Sequence, residues 1–160
     1  MSEPATNQQA VAAENKQYST FVVDGYLFGV EVLEVQEVLR YQTITKVPLA
    51  PGVIEGLLNL RGQIVTAIDM RRRLQLAPRP EGRSPMNMVV RSDDGGAVSL
   101  LVDEIGDVVE VEASQFEPVP DNIDAVKREL TTGVYKLPDR LLLVLNTRKA
   151  IEVGLEELTA

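Results

Sequence analysis

The 160-residue chain predicts a mainly β fold: two pseudo-repeated, small five-stranded β-barrels with short helices. Three observations lead there. Apolar residues make up 44% of the chain, with Val (22) and Leu (19) dominant and aromatics at 4%, a bias toward β-branched strand formers. Short apolar runs recur along the chain, each closed by Gly, Pro, Asp or Asn. The second half also repeats the first at two fixed offsets. A shift of 70 lays Phe28–Val38 on Val98–Val108, apolar on apolar, with Glu37 meeting Asp107. A shift of 77 lays Gly56–Leu74 on Gly133–Ile151 without a gap, matching Leu60 with Leu137, Ile68-Asp69 with Leu145-Asn146, and Arg71 with Arg148. Closing short strands into barrels removes exposed edges. Units of about 65 residues are marginal alone, so they should share an apolar interface.

The elements follow in order. Residues 1–17 are polar and Ala-rich with no apolar signal core, and read as a disordered tail. Tyr18–Val23 and Tyr26–Val32 flank Asp24-Gly25, a hairpin dipeptide. Leu33–Leu39 spaces Val35, Val38 and Leu39 at three and four residues, which suits one or two helical turns, with a strand as the alternative. Pro48 and Pro51 break regular structure. Ile54–Leu60 and Gln63–Ile68 read as strands around Arg61-Gly62, and Asp69 is placed to cap a short basic helix, Met70–Leu76. The Pro-rich stretch Ala77–Pro85 separates approximate halves 18–80 and 85–151, and the seven-residue difference between the two offsets falls in the Glu112–Thr131 connector. A C-terminal helix closes the domain, 18–160.

Absences exclude whole classes of chemistry. Without Cys there is no disulfide, thiolate nucleophile or Cys-based zinc site. Without His there is neither the usual general base nor an imidazole ligand. The longest purely apolar run is Leu141–Leu145, so no helix predicted here spans a bilayer, and a cytoplasmic domain is expected. The net charge of −8 opposes nonspecific binding to nucleic acid or anionic membranes. Charge is nonetheless segregated. Arg40–Arg91 holds nine basic residues against three acids, whereas Ser92–Val126 holds ten acids and no base. Two faces that attract each other and two separate partner surfaces both fit that pattern.

Candidate chemistry is sparse. Asp103, Glu104 and Asp107 lack the spacing of a calcium loop. Arg71-Arg72-Arg73 could track phosphates, but on a helix after Asp69 the triplet reads as a solvated face with Leu74 and Leu76 turned inward. A double barrel binding a ligand or single-stranded nucleic acid is the alternative function, and seven Phe and Tyr residues give it little stacking surface. A carboxylate-dependent enzyme would need paired acids with raised pKa in a cleft.

One segment stands apart. Asn59 and Arg61 interrupt an apolar strand–turn–strand unit, and Asn59-Leu60-Arg61-Gly62 followed by Ile64-Val65, Ile68-Asp69 and Arg71 resembles the signature of the CheW family of chemotaxis coupling proteins. The resemblance runs over roughly Tyr18–Leu158. It takes in Val35-Gln36-Glu37-Val38, Pro48 and Pro51 before Gly56, Leu101-Val102-Asp103, Pro118-Val119-Pro120, and Thr132-Gly133 followed by Leu141–Leu145. Thr66 stands where the family often has Pro, and Asn146 where it often has Asp. The resemblance implies two interlocked SH3- or OB-like barrels and a scaffold with neither catalysis nor cofactor. It also implies a bridge, without membrane insertion, between the cytoplasmic tip of methyl-accepting chemoreceptors and the regulatory domain of the histidine kinase CheA in membrane-associated arrays. It carries Val32, Val35, Glu37, Gly56, Asn59 and Arg61 to the receptor face, and Asp121, Asn122 and Ile123 to the kinase face. Glu37 and Arg61 are expected to form an ion pair at the rim of the receptor groove.

Overall fold

A computed structural model of the chain describes residues 14–152. Its strands are β1 (Asn15–Val23), β2 (Tyr26–Glu31), β3 (Val35–Leu39), β4 (Ile54–Leu60), β5 (Gln63–Asp69), β6 (Met86–Arg91), β7 (Ala97–Val102), β8 (Glu104–Glu112), β9 (Thr131–Lys136) and β10 (Leu141–Leu145). The helices are short: α1 (Met70–Arg73), α2 (Ala125–Glu129) and α3 (Thr147–Ile151).

The strands form two five-stranded sheets, ordered β8-β1-β2-β10-β9 and β3-β6-β7-β5-β4. Neither sheet is one half of the chain. The opening hairpin of each half, β1-β2 or β6-β7, lies among three strands contributed by the other half, so the units 18–80 and 85–151 are replaced by two interleaved sheets. The repeat survives in the register. The parallel pair Thr66↔Val98 of β5 and β7 recurs, 77 and 70 residues displaced, as Leu143↔Phe28 of β10 and β2. The antiparallel pair Leu58↔Val65 recurs as Tyr135↔Leu142.

The sheets are open and not closed into barrels, which corrects the expectation from strand spacing. β8 and β9 remain edges of one sheet, and β3 and β4 edges of the other. Two isolated bridges partly cover β4 and β9: Thr45 against Leu57, and Glu117 against Val134, again 77 residues apart on the covered strand. This is protection of an edge by a passing loop, without circular closure.

The largest apolar core lies between the sheets. Phe21, Phe28, Val30 and Leu143 of one sheet meet Ile68, Met88, Val98 and Leu100 of the other, and the Phe21 and Phe28 rings stack at 5.6 Å. Each sheet keeps a smaller cluster on its other side. Tyr18, Tyr135 and Leu142 belong to one cluster, Leu58, Val65 and Val89 to the other.

Local predictions divide instructively. Asp24 and Gly25 have φ of 51° and 83°, and Arg61 and Gly62 φ of 51° and 89°; turns with two positive φ angles match the twist of the strands they join. Asp69 caps α1 by accepting from the Arg71 N–H at 3.0 Å, but the helix stops at Arg73, short of Leu76. Leu33–Leu39 is not helical beyond the 3-10 turn Val32–Glu34; Val35 and Val38 continue as β3 beside β6. β-Branched side chains favour the pleated surface once a neighbouring strand is available. The N-terminal tail expectation fails for Asn15–Gln17, which pair with β8 in β1, and for residues 1–13 it lies outside the described residues.

Candidate functional site

The β4–β5 turn is built from the inside. Asn59 is exposed at the strand end, and its Oδ1 accepts from the Gly62 N–H at 2.8 Å, fixing the turn from below. Arg61, held at positive φ, projects from that turn with its side chain 73% exposed and pairs with Glu37 on β3, whose side chain is only 18% exposed. The expected pair is therefore formed. The hydrogen bond from Arg61 holds the Glu37 carboxyl below the usual range, and the same bond raises Arg61. Beside it, Gln36 Nε2 donates to Gln63 Oε1 at 3.2 Å. These two side-chain bonds tie edge strand β3 to the β4–β5 hairpin, where no backbone ladder joins them.

The other residues expected on the receptor face are not equivalent. Val32 lies half-buried in the 3-10 turn leading to β3, and Val35 packs against the main core. Gly56 is buried; a Cβ there would stand 2.3 Å from the Thr45 carbonyl oxygen, so glycine is what lets the Thr45 segment cover β4. Two exposed apolar residues, Val38 (38%) and Ile64 (61%), follow Glu37 on β3 and Gln63 on β5 along the chain. Both lie in segments that carry the family resemblance, yet that resemblance assigns neither of them to the receptor face.

In the loop expected to face the kinase, Asp121 and Asn122 are exposed and Ile123 half-buried. Arg128 of α2 organises it: the guanidinium donates to the carbonyls of Pro120 (2.8 Å), Ile123 (3.1 Å) and Val119 (3.4 Å). Asp124 caps the helix through the Lys127 N–H at 3.0 Å. The loop is thus pinned at three carbonyls by one side chain, a role without a local sequence signal.

The arginine triplet is not a solvated face. Arg71 is 8% exposed, and its Nε and Nη2 donate to Asp103 at 3.0 and 2.7 Å, while Asp24 lies 3.7 Å away. Arg79 Nε also reaches Asp103, at 3.3 Å. Arg72 bridges Glu55 and Asp69, and Arg73 donates to the carbonyls of Ala150 and Lys149. Burial alone would push the Asp103 carboxyl up, but the bonds from Arg71 and the Asp24 N–H, with the charges of Arg71 and Arg79, hold it below its ordinary value. Asp103 is where the acidic stretch of the chain meets the basic one. Among the described residues no group of three acids is arranged to hold a metal ion, and no helix is long and apolar enough to cross a membrane.

Two interleaved, pseudo-symmetric sheets with a paired Glu and Arg at a turn define a class, and comparison with known proteins gives its name. The CheW-like domain model matches residues 17–153, and the chain belongs to that family. It is 28% identical over 137 residues to the chemotaxis protein CheW of Klebsiella aerogenes, covering 85% of this chain and 81% of that protein. It is 27% identical over 143 residues to CheW of Treponema pallidum, covering 88% and 84%. Among solved structures, the scaffolding protein TtCheW from Thermoanaerobacter tengcongensis superposes with a TM-score of 0.79 at 27% identity, over 88% of this chain and 95% of that one.

Proposed function

We propose that this protein is a non-catalytic chemotaxis adaptor that couples the cytoplasmic tip of methyl-accepting chemoreceptors to the regulatory domain of the kinase CheA, recruited from the cytoplasm to receptor arrays. The observation that carries the reading is the Glu37–Arg61 pair with the Gln36–Gln63 bond, on strands that also expose Val38 and Ile64. An exposed arginine oriented by a partner carboxylate, with apolar neighbours, is the composition of an interface anchor. Val32, Val35, Glu37, Asn59 and Arg61 form the receptor face, and Gly56 shapes it from beneath. Asp121, Asn122 and Ile123 form the kinase face, held by Arg128. Membership in a family whose named relatives are chemotaxis and scaffolding proteins supports the same reading.

Single variants Glu37→Ala and Arg61→Ala test it. Because the Arg61 end of the pair is largely in solvent, the melting temperature stays nearly unchanged, while binding to a receptor-tip fragment weakens at least tenfold and kinase-domain binding much less. The charge swap Glu37→Arg with Arg61→Glu recovers part of the loss if the pair orients the face, and none if each residue touches the receptor separately. Wild-type receptor binding in both single variants, titrated at physiological salt, removes these residues from the site.

A further inference from the structure

The internal repeat creates two joints between the sheets, and they are not alike. At the first, Arg71 is buried between Asp24 at one hairpin tip and Asp103, and the connector Pro78-Arg79-Pro80 lies against it, with the Arg79 side chain 14% exposed on Asp103. At the second, the counterpart of Arg71 is Arg148. It pairs with Asp93 at the other hairpin tip at 2.9 Å, with side chains 71% and 76% exposed. The position equivalent to Asp103 is Leu33, 87% exposed. Pro78-Arg79-Pro80 narrows the first joint to a cleft of about 260 Å³; no segment among the described residues enters the second in that way, and a groove of about 550 Å³ opens there.

Glu31, Glu34, Asp93 and Thr147 line that groove. Thr147 is 7% exposed, yet its hydroxyl oxygen is buried without a hydrogen-bond partner. Arg91, Arg148 and Lys149 also border the groove, but among the described residues the only ion pair they form is Arg148 with Asp93, and neither Glu31 nor Glu34 forms one. Burial first, and then the charges of Glu31 and Asp93, raise the Glu34 carboxyl; the nearby Thr147 hydroxyl offsets part of this without reaching bonding geometry.

We propose that this groove binds an extended partner segment presenting an arginine between prolines or small apolar residues, with the guanidinium between Glu31, Glu34 and Asp93 and within reach of the Thr147 hydroxyl. The chemistry is the one the molecule itself displays at its first joint. A guanidinium carries five donors in a planar fork and suits several carboxylates at once. It also gives a buried orphan oxygen the donor it lacks. Residues 153–160, which follow α3, contain no Lys or Arg and cannot supply one. The inference does not depend on the receptor and kinase faces proposed above.

The test uses the full chain, ¹⁵N-labelled, titrated with acetyl-Leu-Ala-Pro-Arg-Pro-amide, the sequence of residues 76–80. Saturable amide shifts at Glu31, Glu34, Asp93 and Thr147 are expected. The Arg-to-Ala peptide should give none, and Glu34→Gln should weaken binding at least fivefold with an unchanged melting temperature. No shifts, equal shifts from both peptides, or undiminished binding by Glu34→Gln would overturn the proposal. Binding seen only after the chain is cut following Glu152 would overturn it as well, because the groove would then be filled by the chain's own C-terminal segment.

Discussion

Asp103→Asn should loosen the Arg71–Asp103 joint between the two sheets. The Asp103 carboxylate accepts from Arg71 Nε at 3.0 Å, Arg71 Nη2 at 2.7 Å, the Asp24 N–H at 2.7 Å and Arg79 Nε at 3.3 Å. Asparagine keeps the volume and one acceptor but removes the charge and aims an N–H₂ at two guanidinium groups. Removing one partner of a fully buried ion pair costs about 3–5 kcal/mol. Here the side chains retain 10% and 16% exposure and Asp24 stays near Arg71, so about 2–3 kcal/mol is expected at pH 7, short of the full-burial cost. For a domain of this size that is a fall in Tm of roughly 5–10 °C. Urea unfolding, followed by circular dichroism and tyrosine fluorescence, measures it. The sign with pH follows from the lowered folded pKa of Asp103. The unfolded carboxyl, near about 3.9, binds its proton first as pH falls, so the stabilisation is complete at neutral pH and is lost as pH drops through the folded value. The gap between wild type and Asp103→Asn must therefore narrow in acid. A variant within about 0.5 kcal/mol of wild type at pH 7, in the range of neutral surface changes, or a gap that widens in acid, refutes the reasoning.

Unfolding of the full chain should be a single transition by calorimetry and by denaturant, because each sheet contains strands from both halves and the main core lies between them; two resolved transitions would show that the sheets melt separately. Gly56→Ala should destabilise by about 1–3 kcal/mol, the usual cost of overpacking, because its Cβ would meet the Thr45 carbonyl oxygen at 2.3 Å; a stability equal to wild type in urea would mean that the Thr45 segment yields freely. Arg128→Ala should raise amide hydrogen exchange through residues 119–123 and weaken kinase-domain binding more than threefold while protection in β9 and β10 persists; unchanged exchange in the loop would contradict the anchoring role.

Much of the fold was legible because duplication writes itself as two offsets, and those offsets reappear in the register of β5-β7 against β10-β2. What the offsets cannot say is which half a strand pairs with. They establish that β2 and β7 are equivalent, but not that β2 lies beside β10, since equivalence is preserved by either arrangement. Open sheets escaped for a similar reason: short strands imply protected edges, and Thr45 and Glu117 supply that protection locally. At the candidate site, the signature residues Asn59, Arg61 and Gly62 act within one turn and could be read together, and Glu37 came with them. Arg71 was misread because its partner Asp103 lies 32 residues away. Arg128 was missed because backbone carbonyls, which every residue has, are its acceptors. Ile64 and Val38 carry no signal that separates an exposed strand residue from a buried one until the strand faces are known.

The central claim, that this chain bridges a receptor and a kinase, is tested most directly by immobilising a receptor-tip fragment and measuring retention of a CheA regulatory domain with and without the full chain. The domain should be retained only when the chain is present, and retention should fall at least tenfold with Arg61→Ala. Equal retention without the chain, or none with it, would contradict the account.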